Sequence, residues 1–154
     1  MLVHRLSFPL LSFFVFLAGC SSQGKLETTV VTGTVKVDGQ PMEGVTVTFC
    51  PTAPDENPAV GSTDTNGVFT LTTPGGVFGK GAIPGSYIPT FSKIEVEKFE
   101  AASREEYEKK YGNREPKTVH LLPTKYADSQ TCGFEPVTVE KGKKNQFDFE
   151  LKSK

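Results

Sequence analysis

The chain has 154 residues, with 17 Lys+Arg against 18 Asp+Glu, two histidines, three cysteines and no tryptophan. A formal net charge of −1 leaves no basic footprint for nucleic acid. Two histidines are too few for most metal-hydrolase and His-based catalytic constellations, so no catalytic residue, metal site or cofactor is expected.

The first element is an export signal. His4 and Arg5 give a short positive start, and Leu6 to Leu17 is almost wholly apolar and uncharged. About 12 apolar residues are too few to span a bilayer core of roughly 30 Å, whereas a charged start, a short apolar core and small residues before a cleavage point form a signal peptide. The run Leu17-Ala18-Gly19-Cys20 resembles the lipobox of bacterial lipoproteins. That resemblance implies removal of residues 1–19, acylation (palmitate-type) of Cys20, a tether over 20–27 and a domain over 28–152. Two or more acyl chains anchor stably, at about 0.8 kcal/mol per buried CH₂. The expected location is the cell envelope, on the outer membrane if the host is Gram-negative, with the membrane as first partner.

Assigning Cys20 to lipid leaves Cys50 and Cys132, an even count in an oxidising compartment. A disulfide between them would close a loop of about 80 residues and contribute roughly 4 kcal/mol on the chain-entropy model. The alternative is two thiols that never meet.

From residue 28 onward the period is that of strands. Val31, Gly33, Val35 and Val37 share one face, then Asp38-Gly39-Gln40-Pro41 makes a turn. Val45, Val47 and Phe49 share the next face, and Pro51 and Pro54 end that strand. Ala59–Asp64 and Val68–Thr73 flank the hairpin turn Asp64-Thr65-Asn66-Gly67, with Phe69 and Leu71 on one face. A glycine-rich loop over 74–80 precedes a strand over Ser86–Ile94, in which Pro89 implies an edge position or a bulge. Val96, Phe99, Ser103, Tyr107 and Tyr111 recur every three or four residues, predicting one amphipathic helix over about 95–111 with Gly112-Asn113 as its stop. Glu105–Lys109 and Glu106–Lys110 are favourable i,i+4 pairs on it. Thr118–Leu122 is a short apolar run. Phe134–Glu140 and Gln146–Lys152 flank Lys141–Asn145 as a final hairpin. About seven short strands at this spacing predict an all-β sandwich.

Four stretches together carry a family likeness: Gly33-x-Val35-x-x-Asp38-Gly39-x-Pro41-x-x-Gly44-Val45-x-Val47-x-Phe49, Thr63-Asp64-x-x-Gly67-x-Phe69-x-Leu71, Ile83-Pro84-Gly85-x-Tyr87, and the closing Lys141-Gly142…Asn145-x-Phe147-x-Phe149-x-Leu151. They resemble the carboxypeptidase regulatory-like family. Together with Leu122-Pro123-x-Lys125-Tyr126, the closing stretch is similar to small bacterial lipoproteins that carry this domain, notably those of planctomycetes. The resemblance covers nearly all of 28–152 apart from the predicted helix. It implies a transthyretin-like (prealbumin-like) seven-stranded β-sandwich acting as an accessory module, with no catalytic residues to carry over.

The remaining candidates are weak. Asp64-Thr65-Asn66-Gly67 begins like a calcium loop, but the twelfth position is Gly75, not the bidentate Glu such a loop requires. Gly75–Gly81 is one residue short of a phosphate-binding loop, has Gly81 where a hydroxyl is needed, and leads into a strand. His120 has no second mature histidine to join it. Tyr107 and Tyr111, with Phe78 on the glycine-rich loop, are the residues that would line a groove for a peptide or glycan; the competing reading packs both tyrosines onto the sandwich. The expected role is a structural or protein-interaction module of the envelope, and the alternative is a carbohydrate- or peptide-binding module.

Overall fold

Two β-sheets share their apolar faces, and the longer strands β1, β3 and β10 show the two-residue alternation of their sequence. The computed structural model describes residues 27–74 and 81–154; the signal segment, Cys20 and Phe78 lie outside the described residues. The first sheet holds β1 (Val31–Val37), β2 (Gln40–Pro41), β5 (Val68–Thr70) and β10 (Asn145–Leu151). The second runs in the order β4 (Ala59–Ser62), β3 (Thr46–Pro51), β6 (Gly85–Ser92), β9 (Val137–Val139).

β1 is the axis of the first sheet. It pairs along its whole length with β10 in parallel, from Val31↔Asn145 to Val37↔Leu151. Its other edge is shared between β5 and β2. The Asp38-Gly39 turn has φ of 51° and 82° at its two residues, the doubly left-handed geometry of a tight hairpin that Asp and Gly accommodate, and it joins β1 to β2.

The core lies between the sheets. Val31, Val35, Phe69, Phe149 and Leu151 come from one side, and Val47, Phe49, Ala59, Tyr87, Phe91 and Val139 from the other. Phe49 sits at its centre, with ring centroids 6.4 Å from Phe69, 6.0 Å from Tyr87, 5.6 Å from Phe147 and 6.2 Å from Phe149. Aromatic pairs at such spacing add about 0.5–1.5 kcal/mol each beyond area burial. The Tyr87 hydroxyl, at the edge of this cluster, donates to the Ile83 carbonyl at 2.7 Å. A short 3₁₀ turn over Thr124–Ala127 brings Tyr126 against Phe134, which in turn packs on Phe91 and Phe149.

Several sequence expectations are corrected. The described residues form ten strands rather than seven. The hairpin expected over 134–152 does not form, because β9 pairs with β6 in one sheet while β10 pairs with β1 in the other. The 59–73 hairpin is only half formed. Asp64 N–H reaches Val68 O and Val60 exchanges two bonds with Thr72, all at 2.8 Å, but between those points β4 follows β3 and β5 follows β1. This pair is the corner where the sheets meet.

Pro89 lies in a strand with neighbours on both sides. The Thr52 N–H to Ser86 O bond sets the alternation of the β3/β6 ladder and makes Phe49/Pro89 a non-bonded pair. The proline nitrogen therefore turns toward the β9 side, and β9 pairs only with Gly85–Tyr87. Its missing N–H leaves no ladder bond unmade, so the edge expectation holds locally.

The helix expected over 95–111 is reduced to α1 (Arg104–Tyr111). Its start falls in β7 (Ile94–Val96), paired with β8 (Thr118–His120), and residues 97–103 are irregular. Ser103 caps the helix by accepting the Glu106 N–H at 3.2 Å, while the Glu106 carboxylate reaches back to the Ala102 N–H at 3.0 Å. Glu106 is thereby drawn away from Lys110. The i,i+4 ion pair observed on the helix is Arg104–Glu108, 3.1 Å. Gly112 ends the helix with φ 60°. No helix among the described residues is long and apolar enough to cross a membrane.

Candidate functional site: the projecting arm

Residues 94–120 leave the sandwich at the end of β6 and return to it at Leu122, which is buried. The Leu121 N–H bonds Lys93 O at the base, and the Glu97 N–H bonds Lys117 O at the far end, both at 2.8 Å. Between them Ile94 pairs with His120, Glu95 with Val119 and Val96 with Thr118. Pairs in register share a face, so Ile94 and Val96 lie on one side of this ribbon and Val119 on the other. All three are half exposed, at 53%, 50% and 54%. An open groove of about 760 Å³ is lined by Ile94 to Lys98, Lys117 and Val119. A two-stranded ribbon with both edges unpaired among the described residues and apolar side chains on both faces is a template for an added strand.

The helix is held to the ribbon rather than to the sandwich. Arg114 Nη2 reaches both oxygens of Glu97 at 2.6 and 2.7 Å, and the Lys117 N–H donates to the same carboxylate at 3.3 Å. The Arg114 guanidinium lies 5.4 Å from the Phe99 ring centroid. Phe99 stacks on Tyr111 at 4.4 Å and meets Tyr107 edge-on at 5.5 Å.

Of the candidate binding residues, Tyr107 and Tyr111 are brought together, 5.4 Å apart. They close on Phe99 and on each other, which corrects the expectation that they pack onto the sandwich. Their rings are occupied by this cluster rather than spread as an open platform. Phe78 lies outside the described residues, so no shared groove is defined. His120 is exposed on β8, opposite Ile94. Among the described residues no group of three or more His, Cys, Asp or Glu side chains is gathered where a metal could be held. Their buried side-chain nitrogens and oxygens all have hydrogen-bond partners, so no orphaned polar group points to a missing ligand.

The expected bridge between Cys50 and Cys132 is absent; both are free thiols. Alternation along β3 turns Cys50 away from the core face held by Val47 and Phe49, and its sulfur lies 3.7 Å from Thr90 Oγ1. Cys132 closes a turn, its N–H bonded to Asp128 O at 2.9 Å and its sulfur 3.7 Å from Ser129 O. Each sulfur is held by its own neighbours.

The molecule so defined is a two-sheet β protein whose clearest surface feature is a ribbon-and-helix arm. Compared with family models, curated proteins and solved structures, the chain matches none. The arm was only partly legible in the sequence. The signals were the alternation of Ile94 and Val96 and the short run at 118–120, which pair across the helix that lies between them in the chain.

Proposed function

We propose that this chain is a lipid-anchored, non-catalytic protein of the cell envelope, and that its β-sandwich, of the transthyretin-like kind, serves as a protein-interaction module whose contact element is the arm. The observation that carries this reading is the ribbon. It places Ile94, Val96 and Val119 half exposed, beside two strand edges with no partner among the described residues. Main-chain bonding along such an edge supplies affinity, and alternate side chains supply selectivity. The lipobox-like run ending at Cys20 supports the anchor. The parallel β1/β10 pair at one edge of the first sheet, with β2 and β5 antiparallel on the other side of β1, and a corner where the two sheets meet support the sandwich type.

A protein partner is favoured over a glycan because the arm's aromatic rings stack on one another instead of forming an open face. Placing a photo-cross-linking residue at Val96 of the full chain, expressed in its envelope, tests the reading. A discrete adduct lost in Ile94→Ser/Val119→Ser is expected, and recovery of the monomer alone would count against it. Cys20→Ser is expected to move the chain out of the membrane fraction while leaving its β circular dichroism unchanged.

A further inference from the structure

The two ends of the sandwich differ, and topology assigns each feature to one end. Glu27 pairs with Lys141, and Thr29 pairs with Ala82. The parallel register aligns Val31 with Asn145, and Gly85 pairs with Val139. The start of the domain, the start of β6 and the turn Lys141–Lys144 therefore share one end. At the other end Thr46 pairs with Ser92, and Lys93 Nζ donates to Glu43 O at 2.6 Å, which fixes the base of the arm there. β6 runs the full distance between them, and its eight residues span about 23 Å.

Resting on the proposed acylation of Cys20, a length limit follows. Seven Cα–Cα steps separate Cys20 from Glu27, a reach of at most about 25 Å in any conformation. The end bearing Glu27 therefore stays within about that distance of the lipid surface, and the arm begins one strand length away from that end of the sandwich.

We infer that the sandwich stands end-on at a lipid surface, with the Glu27 and Lys141–Lys144 end inward and the arm of residues 94–120 held outward. The tether rather than charge attraction determines this orientation. Among the described residues Lys141 and Lys143 are matched by Glu27 and by Glu140, the latter at 2.6 Å, and Glu56 beside Gly85 at the same end offsets Lys144, so the described part of that end has little net charge to offer an anionic headgroup. The arm then faces a partner that lies away from the anchoring membrane.

The test uses the full lipidated chain in phosphatidylcholine vesicles doped with a headgroup nitroxide lipid. A fluorophore is attached at Lys144→Cys or at Glu105→Cys on a Cys50→Ser background; Cys132 is 4% exposed and protected. Quenching several-fold stronger at position 144 than at 105 is expected, unchanged between low and high salt. Equal quenching, or stronger quenching at 105, in membrane-bound protein would overturn the orientation alone. Loss of the difference in high salt would overturn the tether as its cause. Failure of the chain to carry a lipid by mass, or to float with the vesicles, would overturn the anchor and the orientation with it.

Discussion

Asn145 completes the backbone of Glu140. Its Oδ1 accepts the Glu140 N–H and its Nδ2 donates to the Glu140 carbonyl, both at 2.9 Å, with a second donation to Lys143 O at 3.1 Å. One buried amide thus does the bonding that a paired strand would do, at the point where the chain passes from β9 in one sheet to β10 in the other. This allows a short turn to connect two sheets while its partly buried main-chain groups stay paired.

Asn145→Ala should therefore cost about 2–3 kcal/mol, more than a single exposed hydrogen bond, because several polar groups lose their partners together. Asn145→Asp keeps the acceptor and loses both donations, and should fall between the two. Urea unfolding followed by circular dichroism reads both; a loss below about 0.5 kcal/mol for Asn145→Ala would show the turn is held by other means.

Gly33 is the point of closest approach inside the first sheet. A Cβ there would overlap the Phe147 carbonyl and come within 2.7 Å of the Phe69 ring. Gly33→Ala should cost about 3 kcal/mol or more, since neither backbone nor core ring can yield cheaply. Gly142→Ala, at φ +73° with open space around it, should cost only about 1 kcal/mol of left-handed strain. Similar losses at the two sites would contradict this difference.

Tyr87 links stability to alkaline pH. Burial, and secondarily the nearby Glu56 carboxylate, hold its hydroxyl above the usual tyrosine range. A folded value above the unfolded one means that the proton is kept more tightly in the native state. The stabilisation is complete below about pH 10 and is lost as pH rises through the folded value. Wild type should lose stability more steeply than Tyr87→Phe between about pH 9.5 and 11. At pH 7 the variant should be weaker by about 1 kcal/mol, from the lost bond to Ile83 O. Parallel slopes in urea titrations at the two pH values would remove Tyr87 as the cause.

The thiols give a chemical check on the fold. Denatured, unreduced domain should titrate two free sulfhydryls from Cys50 and Cys132. In the native state Cys50 should react faster, because it is partly exposed while Cys132 is buried. No thiol signal before reduction would mean that a bridge had formed after all.

The local geometry of this protein was legible in its residues. Val31/Val35, Val47/Phe49 and Phe69/Leu71 show by alternation which face of each strand is buried, and Asp38-Gly39 marks the tight turn. The partial failure at 95–111 has a clear cause. The aromatic spacing from Phe99 to Tyr111 is real, but those rings serve one another across the Ser103 cap, while Ile94 and Val96 had an equally valid two-residue period. Ser103 and Glu106, three apart, mark where the helix begins, and the longer apolar repeat masked them.

Strand partners were not legible. Alternation is a property of one segment, and it states that a face is apolar without stating what covers it. Val137–Val139 and Asn145–Leu151 look like the two arms of one hairpin, and only the competition for β6 and β1 separates them into different sheets. Pairing β1 with β10 joins residues more than a hundred positions apart, a choice made by the fit of the whole core around Phe49. The same long-range choice leaves Cys50 and Cys132 as free thiols, each beside its own neighbours, and it places the arm at one end of the sandwich and the start of the domain at the other. The sequence by itself determined which faces are buried and where the chain turns; tertiary packing alone decided which strands meet, because that depends on the combined shape of side chains no local pattern brings together.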